Sequence, residues 1–157
     1  MPTVIGGYRL SRVLGRGNYG VVRLAITEAT GEPVAIKILQ KAAALSTPTA
    51  LCRVRREVRI MRSLAHPNIA RLVETLSSPT RIYLVMEYVA GTELFDVMLA
   101  AGALPEGRAR RIWAQIVGAL NYAHGRGVPA GALCAACARP PPGPPPAAAA
   151  AAVPLRL

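Results

Sequence analysis

Hydrophobic and polar residues alternate over the first third of the chain. Tyr8–Gly15 reads as one strand and Gly17–Ile26 as a second, in which Val22, Leu24 and Ile26 share a face. Thr27–Pro33 (TEATGEP) reads as a turn, and Val34–Leu39 as a third strand. Ile69–Leu76 and Ile82–Tyr88 are two more β-rich runs, parted by Ser77–Thr80 (SSPT). Together these five segments predict an antiparallel meander. One helical insertion interrupts it. Over Leu51–Ala65, the residues Val54, Val58, Met61, Leu64 and Ala65 fall within one arc, while Arg55, Arg59 and Arg62 fall on another side. Glu57 stands inside the apolar arc, where a carboxylate needs a cationic partner. Ala65–Asn68 (AHPN) ends this helix, with Pro67 as the breaker.

Beyond Tyr88 the pattern turns helical. Val89–Thr92 (VAGT) is a linker, followed by helices over Glu93–Ala101 and Pro105–Gly125. The second helix carries Ala109, Ile112, Ile116, Ala119 and Ala123 on one face. From Val128 the periodicity disappears. Pro140–Pro146 is proline-rich and Ala147–Ala152 is low-complexity sequence. The pattern therefore predicts an α+β chain: a sheet with one helix, then two helices, then an irregular tail.

Composition changes this picture little. The 157 residues suit one domain, and the 52% apolar fraction is raised by alanine in the tail. Phe and Trp occur once each, so the core must rest on Val, Ile, Leu and Met. The formal charge is +11 at pH 7, but the arginines are dispersed and no block of five like charges occurs. This is a generally basic surface, with neither a recognition motif nor an aromatic platform for specific nucleic-acid binding. The cysteines Cys52, Cys134 and Cys137 are too few and odd in number for a disulfide framework, which suits a reducing compartment. Cys134 and Cys137 have C-x-x-C spacing without a second Cys/His pair, so no zinc or other metal site is expected. No basic n-region with an apolar run opens the chain, and no apolar stretch reaches membrane-spanning length. The expectation is a soluble intracellular protein, cytoplasmic, without a membrane partner.

Chemistry enters with GRGNYG, Gly15–Gly20, a match to G-x-G-x-x-G. In a dinucleotide fold a helix would start at the last glycine. Here Gly20 leads into VVRLAI, which alternates like a strand. A strand, glycine loop and strand make a hairpin lid whose N–H groups can approach phosphate oxygens. A Walker A pattern is absent. Val34–Lys37 (VAIK) supplies a cation, with Ala35 and Lys37 on one strand face. Val22 and Ala35 can form an apolar ceiling for a purine, with Lys37 beside the phosphates and Glu57 as its partner.

These residues resemble the protein kinase family, and within it the serine/threonine kinases of the calmodulin-dependent and AMP-activated-like group. GRGNYGVV matches the glycine loop, VAIK the third-strand motif, and Glu57 in RREVRIMRSL the αC glutamate. HPNIARL and IYLVMEYVAGTELFD resemble the αC–β4 loop, the fifth strand and the hinge. The resemblance runs from about Tyr8 to Val128. It implies a kinase N-lobe over 8–88, a hinge over 87–92, the αD and αE helices over 93–126, a short extension at 1–7 and a tail over 129–157. It also implies ATP binding. Leu14, Val22 and Ala35 would contact adenine; Gly15, Arg16, Gly17, Asn18, Tyr19 and Gly20 would cover the phosphates. Lys37 would hold the α- and β-phosphates and pair with Glu57. Met86 resembles the gatekeeper, Glu87 and Val89 the hinge residues that bond adenine, and Glu93 the residue that reaches ribose. Met61 and Leu72 match apolar positions linking αC to the sheet. Thr92 departs from the pattern, where such kinases often carry a second glycine.

A larger departure follows ARRIWAQIVGALNYAHGRGV. The family continues with a catalytic loop resembling V-H-R-D-L-K-P-x-N, whereas this sequence reads VPAGALCAAC. The base aspartate, the loop lysine and the metal-binding asparagine are missing, as is D-F-G. The one aspartate in the sequence, Asp96, matches the ELFD position at the start of αD. Mg²⁺ is expected for the family, but its protein ligands are absent, so no catalytic residue is assigned. The expectation is a serine/threonine kinase fragment that binds ATP without transferring phosphate, a protein substrate belonging only to a full-length form. A non-catalytic nucleotide- or partner-binding module is the alternative. The abrupt change reads as a frame change, a retained intron or an alternative 3′ exon.

Overall fold

The computed structural model describes residues 3–17, 20–44, 47–92 and 94–128. They fall into two compact units. One comprises Met1–Ser63 and Arg71–Tyr88; the other comprises Leu64–Ala70 and the residues from Val89 onward.

The first unit is a six-stranded sheet and its helices. The strands are β1 (Val4–Ile5), β2 (Tyr8–Gly17), β3 (Gly20–Thr27), β4 (Pro33–Gln40), β5 (Leu72–Ser77) and β6 (Arg81–Glu87). Their spatial order is β1-β2-β3-β4-β6-β5, and every neighbouring pair is antiparallel. The five strands expected from alternation are present, and β1 is an addition. The order corrects the simple meander: after the helical insertion, β6 rather than β5 lies beside β4. β5 also begins at Leu72, three residues later than the apolar run suggested. Ile69 and Ala70 are buried, but in the second unit, so their apolar character reflects packing of a loop.

Register divides the sheet into two faces. Ala25, Val34, Ile36, Tyr83 and Val85 lie on one, where they cluster with Tyr8 and Leu10. The sheet curls around this cluster until its ends meet. The Tyr8 hydroxyl donates to Glu74 Oε1, joining β2 to β5 although the two strands are not neighbours. At the same seam Gly6 has φ +56°, a left-handed conformation that strains any other residue, and a Cβ there would displace the Leu76 side chain. A β-bulge between Leu72 and Glu74 turns β5 so that Leu72 and Glu74 serve opposite faces.

The other face carries Val22, Leu24, Ala35, Lys37, Leu39, Leu84 and Met86. Two short helical segments follow β4: α1 (Lys41–Ala44) and α2 (Pro48–Ser63). α2 starts earlier than the expected Leu51, since Pro is tolerated in the first turn, where its missing N–H breaks no helical bond. It ends at Ser63, so Leu64 and Ala65 lie outside the helix, and Ala65 is exposed. Met61 is buried, as are Leu39, Leu84 and Met86 on this sheet face. Each such side chain contributes about 1.5–3 kcal/mol of burial.

The second unit contains α3 (Leu94–Ala101) and α4 (Glu106–His124). Pro105, with φ −54° and ψ 139°, stands at the N-cap of α4, and Gly125 caps its other end. The segment 64–70 is tied to α4 by side chains. Ala65 N–H donates to Tyr122 Oη at 3.0 Å, and Asn68 Nδ2 donates to Gln115 Oε1 at 3.4 Å. The His66 ring lies 5.0 Å from that of Tyr122, while the Arg126 guanidinium sits 3.8 Å over the Tyr122 ring centre. Ala119 and Ala123 are buried, Ile112 and Ile116 are half-buried, and Trp113 is 64% exposed.

Candidate functional site

Of the expected residues, Val22, Ala35, Lys37 and Met86 share one sheet face of the first unit. Gly20 opens strand β3, not a helix, so the glycine motif joins two strands. This geometry excludes the helix-initiating arrangement of a dinucleotide fold. Gly17 pairs with Gly20 and Gly15 with Val22 across the hairpin. Gly20 has a packing reason to be glycine: a Cβ there would collide with the Ile38 carbonyl oxygen on β4. The strands β3 and β4 can approach only because that side chain is missing. Asn18 and Tyr19 lie outside the described residues, and Arg16 is exposed.

Strand register assembles the rest. Val22 faces Lys37 and Leu24 faces Ala35 across β3 and β4, which puts Val22 and Ala35 diagonally on one face. Ala35 in turn faces Met86, and Lys37 faces Leu84, on β6. Met86 is buried, and Leu14 is half-buried on β2. The surface beneath the glycine hairpin is thus apolar apart from the Lys37 ammonium.

That ammonium is fixed by α2. Lys37 Nζ donates to Glu57 Oε1 at 2.5 Å. The side chains are 17% and 28% exposed, so the pair is only partly screened by water. A charge-assisted bond of this kind orients a long, flexible lysine side chain. On α2, Glu57 is flanked by half-buried Val54 and Val58 and buried Met61, and the helix brings its carboxylate to the lysine.

At the end of β6, Glu87 N–H donates to the Arg71 carbonyl at 2.9 Å, and Arg71 N–H donates to Glu87 Oε2 at 3.5 Å. Glu87 closes the first unit with Tyr88, whereas Val89 belongs to the second. Glu93 lies outside the described residues. Asp96 is exposed in the first turn of α3. Among the described residues, no cluster of three His, Cys, Asp or Glu could hold a metal ion. No described helix is long and apolar enough to cross a membrane.

Sequence reasoning missed the Tyr8–Glu74 closure and the Tyr122-centred cluster. Neither has a local pattern, because their partners are separated by 66 and 57 positions.

Comparison with known proteins agrees with this geometry. The family model described as "Protein kinase domain" matches residues 8–129. CBL-interacting protein kinase 32 of Oryza sativa subsp. japonica is 42% identical over 124 residues, covering 79% of this chain and 28% of that protein. CBL-interacting protein kinase 4 of the same organism is 46% identical over 127 residues, covering 80% and 28%. CBL-interacting serine/threonine-protein kinase 3 of Arabidopsis thaliana is 41% identical over 124 residues, covering 79% and 28%. The chain therefore spans 28% of the length of these relatives. Among solved structures, Rad53 1–466 in complex with AMP-PNP matches with a TM-score of 0.72 and 34% identity, over 77% of this chain and 32% of that one. A glycine hairpin, a lysine paired to a helix glutamate and a match across residues 8–129 lead to one assignment: the chain belongs to the protein kinase domain family.

Proposed function

We propose that residues 8–128 are the nucleotide-holding part of a serine/threonine protein kinase domain. In this reading they bind ATP, and the 157 residues as they stand transfer no phosphate. The observation that carries the binding half is the Lys37–Glu57 pair beneath the glycine hairpin. Leu14, Val22 and Ala35 take one face of adenine. Met86 limits the depth of the site, and the backbone at Glu87 and Val89 bonds the purine edge. The hairpin Gly15–Gly20, including Arg16, Asn18 and Tyr19, covers the phosphates. Lys37 neutralises the α- and β-phosphates while Glu57 holds it in place. Glu93 reaches the ribose. A nucleotide bound to an AMP-PNP-complexed relative supports the same ligand class.

In this reading 8–88 is the N-lobe, 87–92 the hinge and 93–126 the first two C-lobe helices. Residues 1–7 form an extension that supplies β1, and 129–157 is a tail outside the described residues. The residues present do not fit a catalytic Mg²⁺ site. Phosphoryl transfer in this family relies on metal-binding and base aspartates, whereas the sequence has one aspartate, Asp96, exposed on α3. No step through the metal is therefore assigned. Protein substrates belong to a form of the protein that carries a catalytic loop.

The test uses the purified chain and its Lys37→Met variant. Titration with a fluorescent ATP analogue should show weak, saturable binding that the variant loses at least tenfold. Equal binding by both would refute the nucleotide site. Incubation with radiolabelled ATP, Mg²⁺ and a basic protein substrate should give equal background from both. Label transfer that disappears in Lys37→Met would refute the inactivity.

A further inference from the structure

Strand β2 does not keep step with β3. From Leu10 to Gly15 it takes five residue steps where β3, from Ala25 to Val22, takes three. The shifts fall between Leu10 and Val13 and between Val13 and Gly15. They decide which face Leu14 serves. Leu10 lies on the core face, opposite Ala25. Strict alternation from there would carry Arg12 and Leu14 to the same face, away from the site. The first extra residue reverses that parity, because Val13 now stands opposite Arg23, and Arg23 pairs with the core residue Ile36. Leu14, the extra residue beside the Gly15–Val22 pair, is thereby turned to the face of Val22, Ala35 and Lys37. One side chain fastens the first shift. Ser11 lies within it, and its carbonyl accepts from Arg23 Nε at 2.9 Å and from Arg23 Nη2 at 2.6 Å. The half-buried Arg23 thus ties β2 to β3 where the regular ladder is interrupted.

We infer that Arg23 is a positioning residue of the nucleotide site: by holding the Ser11 carbonyl it fixes the bulge that presents Leu14 to adenine. The ligand of Leu14 rests on the nucleotide reading; the placement of Leu14 by Arg23 stands without it. Arg23 acts through Leu14 and not on the nucleotide, since its strand register puts it on the face opposite Ala35 and Lys37. A guanidinium suits the task, because two donors in a fixed fork set the direction of the carbonyl as well as its distance. A strand that slips by one residue sends every side chain to the other face. Here such a slip would carry Leu14 to the core side and Val13 to the site. Loss of the fork should therefore weaken contacts to the base. It should spare contacts to the phosphates, which come from the hairpin N–H groups and Lys37.

The test uses the full chain with isotope-labelled Leu, Val and Ala methyl groups, observed by NMR. In the parent, the Leu14 methyls should show nuclear Overhauser contacts to the Val22 and Ala35 methyls. Arg23→Met keeps the aliphatic stem and removes the donors, and should weaken those contacts at least threefold. Arg23→Lys restores one donor and should retain them. Shift titrations then give affinities for adenosine and, separately, for inorganic tripolyphosphate. Arg23→Met should lose at least fivefold for adenosine and less than twofold for tripolyphosphate, and Arg23→Lys should stay within threefold of the parent for both. In a Leu14→Ala background, Arg23→Met should cost adenosine less than a further twofold, because the two residues act as one unit. Equal losses for the two ligands would make Arg23 a source of charge or of general stability and overturn the proposal. An undiminished adenosine loss in the Leu14→Ala background would overturn it as well, and so would Leu14 contacts that survive in Arg23→Met. If the parent binds neither ligand, the nucleotide reading fails, and the Leu14 contacts alone decide whether Arg23 sets the bulge. If Arg23→Met proves unfolded, Arg23→Gln carries the test: weakened Leu14 contacts and at least a threefold loss for adenosine are expected, and no change in either refutes it.

Discussion

Replacing Tyr8 by Phe removes one oxygen atom and tests how the sheet is closed. Tyr8 is 7% exposed, and its hydroxyl donates to Glu74 Oε1 at 2.5 Å. No backbone ladder joins β2 to β5, so this bond spans strands that the sheet order keeps apart. The Phe ring fills the same space, and no cavity term enters. What is lost is a hydrogen bond to an ionised acceptor, typically about 1.5–3 kcal/mol. Glu74 is half-buried and regains some water in the variant. The expected loss is therefore about 1–2 kcal/mol.

The same bond sets an alkaline dependence. The hydrogen bond to Glu74, followed by burial and the Glu74 charge, pushes the Tyr8 hydroxyl up to about 12. In the unfolded chain a tyrosine titrates near ~10. Between those values the unfolded chain has released the proton and the native chain retains it. The unfolded state then binds fewer protons, so stability falls as pH rises. The contribution is complete below about pH 10 and lost by about pH 12, with an upper bound of ~2.7 kcal/mol. Urea unfolding of the parent and Tyr8→Phe chains from pH 8 to 12 measures it. The difference between the two cancels the other four tyrosines and the lysines. It should be about 1–2 kcal/mol at pH 8 and shrink toward zero at pH 12. Parallel curves, or a variant as stable as the parent at pH 8, would refute the closure argument.

Two further perturbations probe the site and its frame. Gly20→Ala drives a methyl group into the Ile38 carbonyl and should cost about 1–3 kcal/mol in urea unfolding; Gly118→Ala on α4, where a Cβ meets nothing, should instead add about 0.5–1 kcal/mol. Glu57→Gln keeps the shape of the side chain but removes its charge from Lys37 Nζ. It should cost about 1 kcal/mol of stability, discounted for partial exposure, and weaken binding of a fluorescent ATP analogue severalfold. Unchanged nucleotide affinity would separate the pair from the phosphate site.

What the sequence made legible follows from the range of each interaction. Val22, Leu24 and Ile26 alternate on one strand, and Ala35 with Lys37 on the next, so the site face could be read from period two alone. Lys37 and Glu57 were legible for a different reason. A carboxylate flanked by Val54, Val58 and Met61 required a cation, and the nearest upstream strand offered one on the matching face. β1 has two residues, too few to show any period. The β6–β5 order was hidden because period two fixes faces without fixing neighbours. The run Ile69–Leu76 misled at its start for a related reason. Burial of Ile69 and Ala70 in a loop produces the same apolar letters as burial in a strand. Arg55, Arg59 and Arg62 illustrate the remaining gap. Helical period placed them together on a solvated side, and they are exposed there. That the same side borders a recess floored by Thr75 and Ile82 depends on β5 and β6 lying alongside α2, a placement set by packing between segments about 20 residues apart. Helical period shows which residues share a side of α2, but which strands border that side is a property of the assembled sheet and helix.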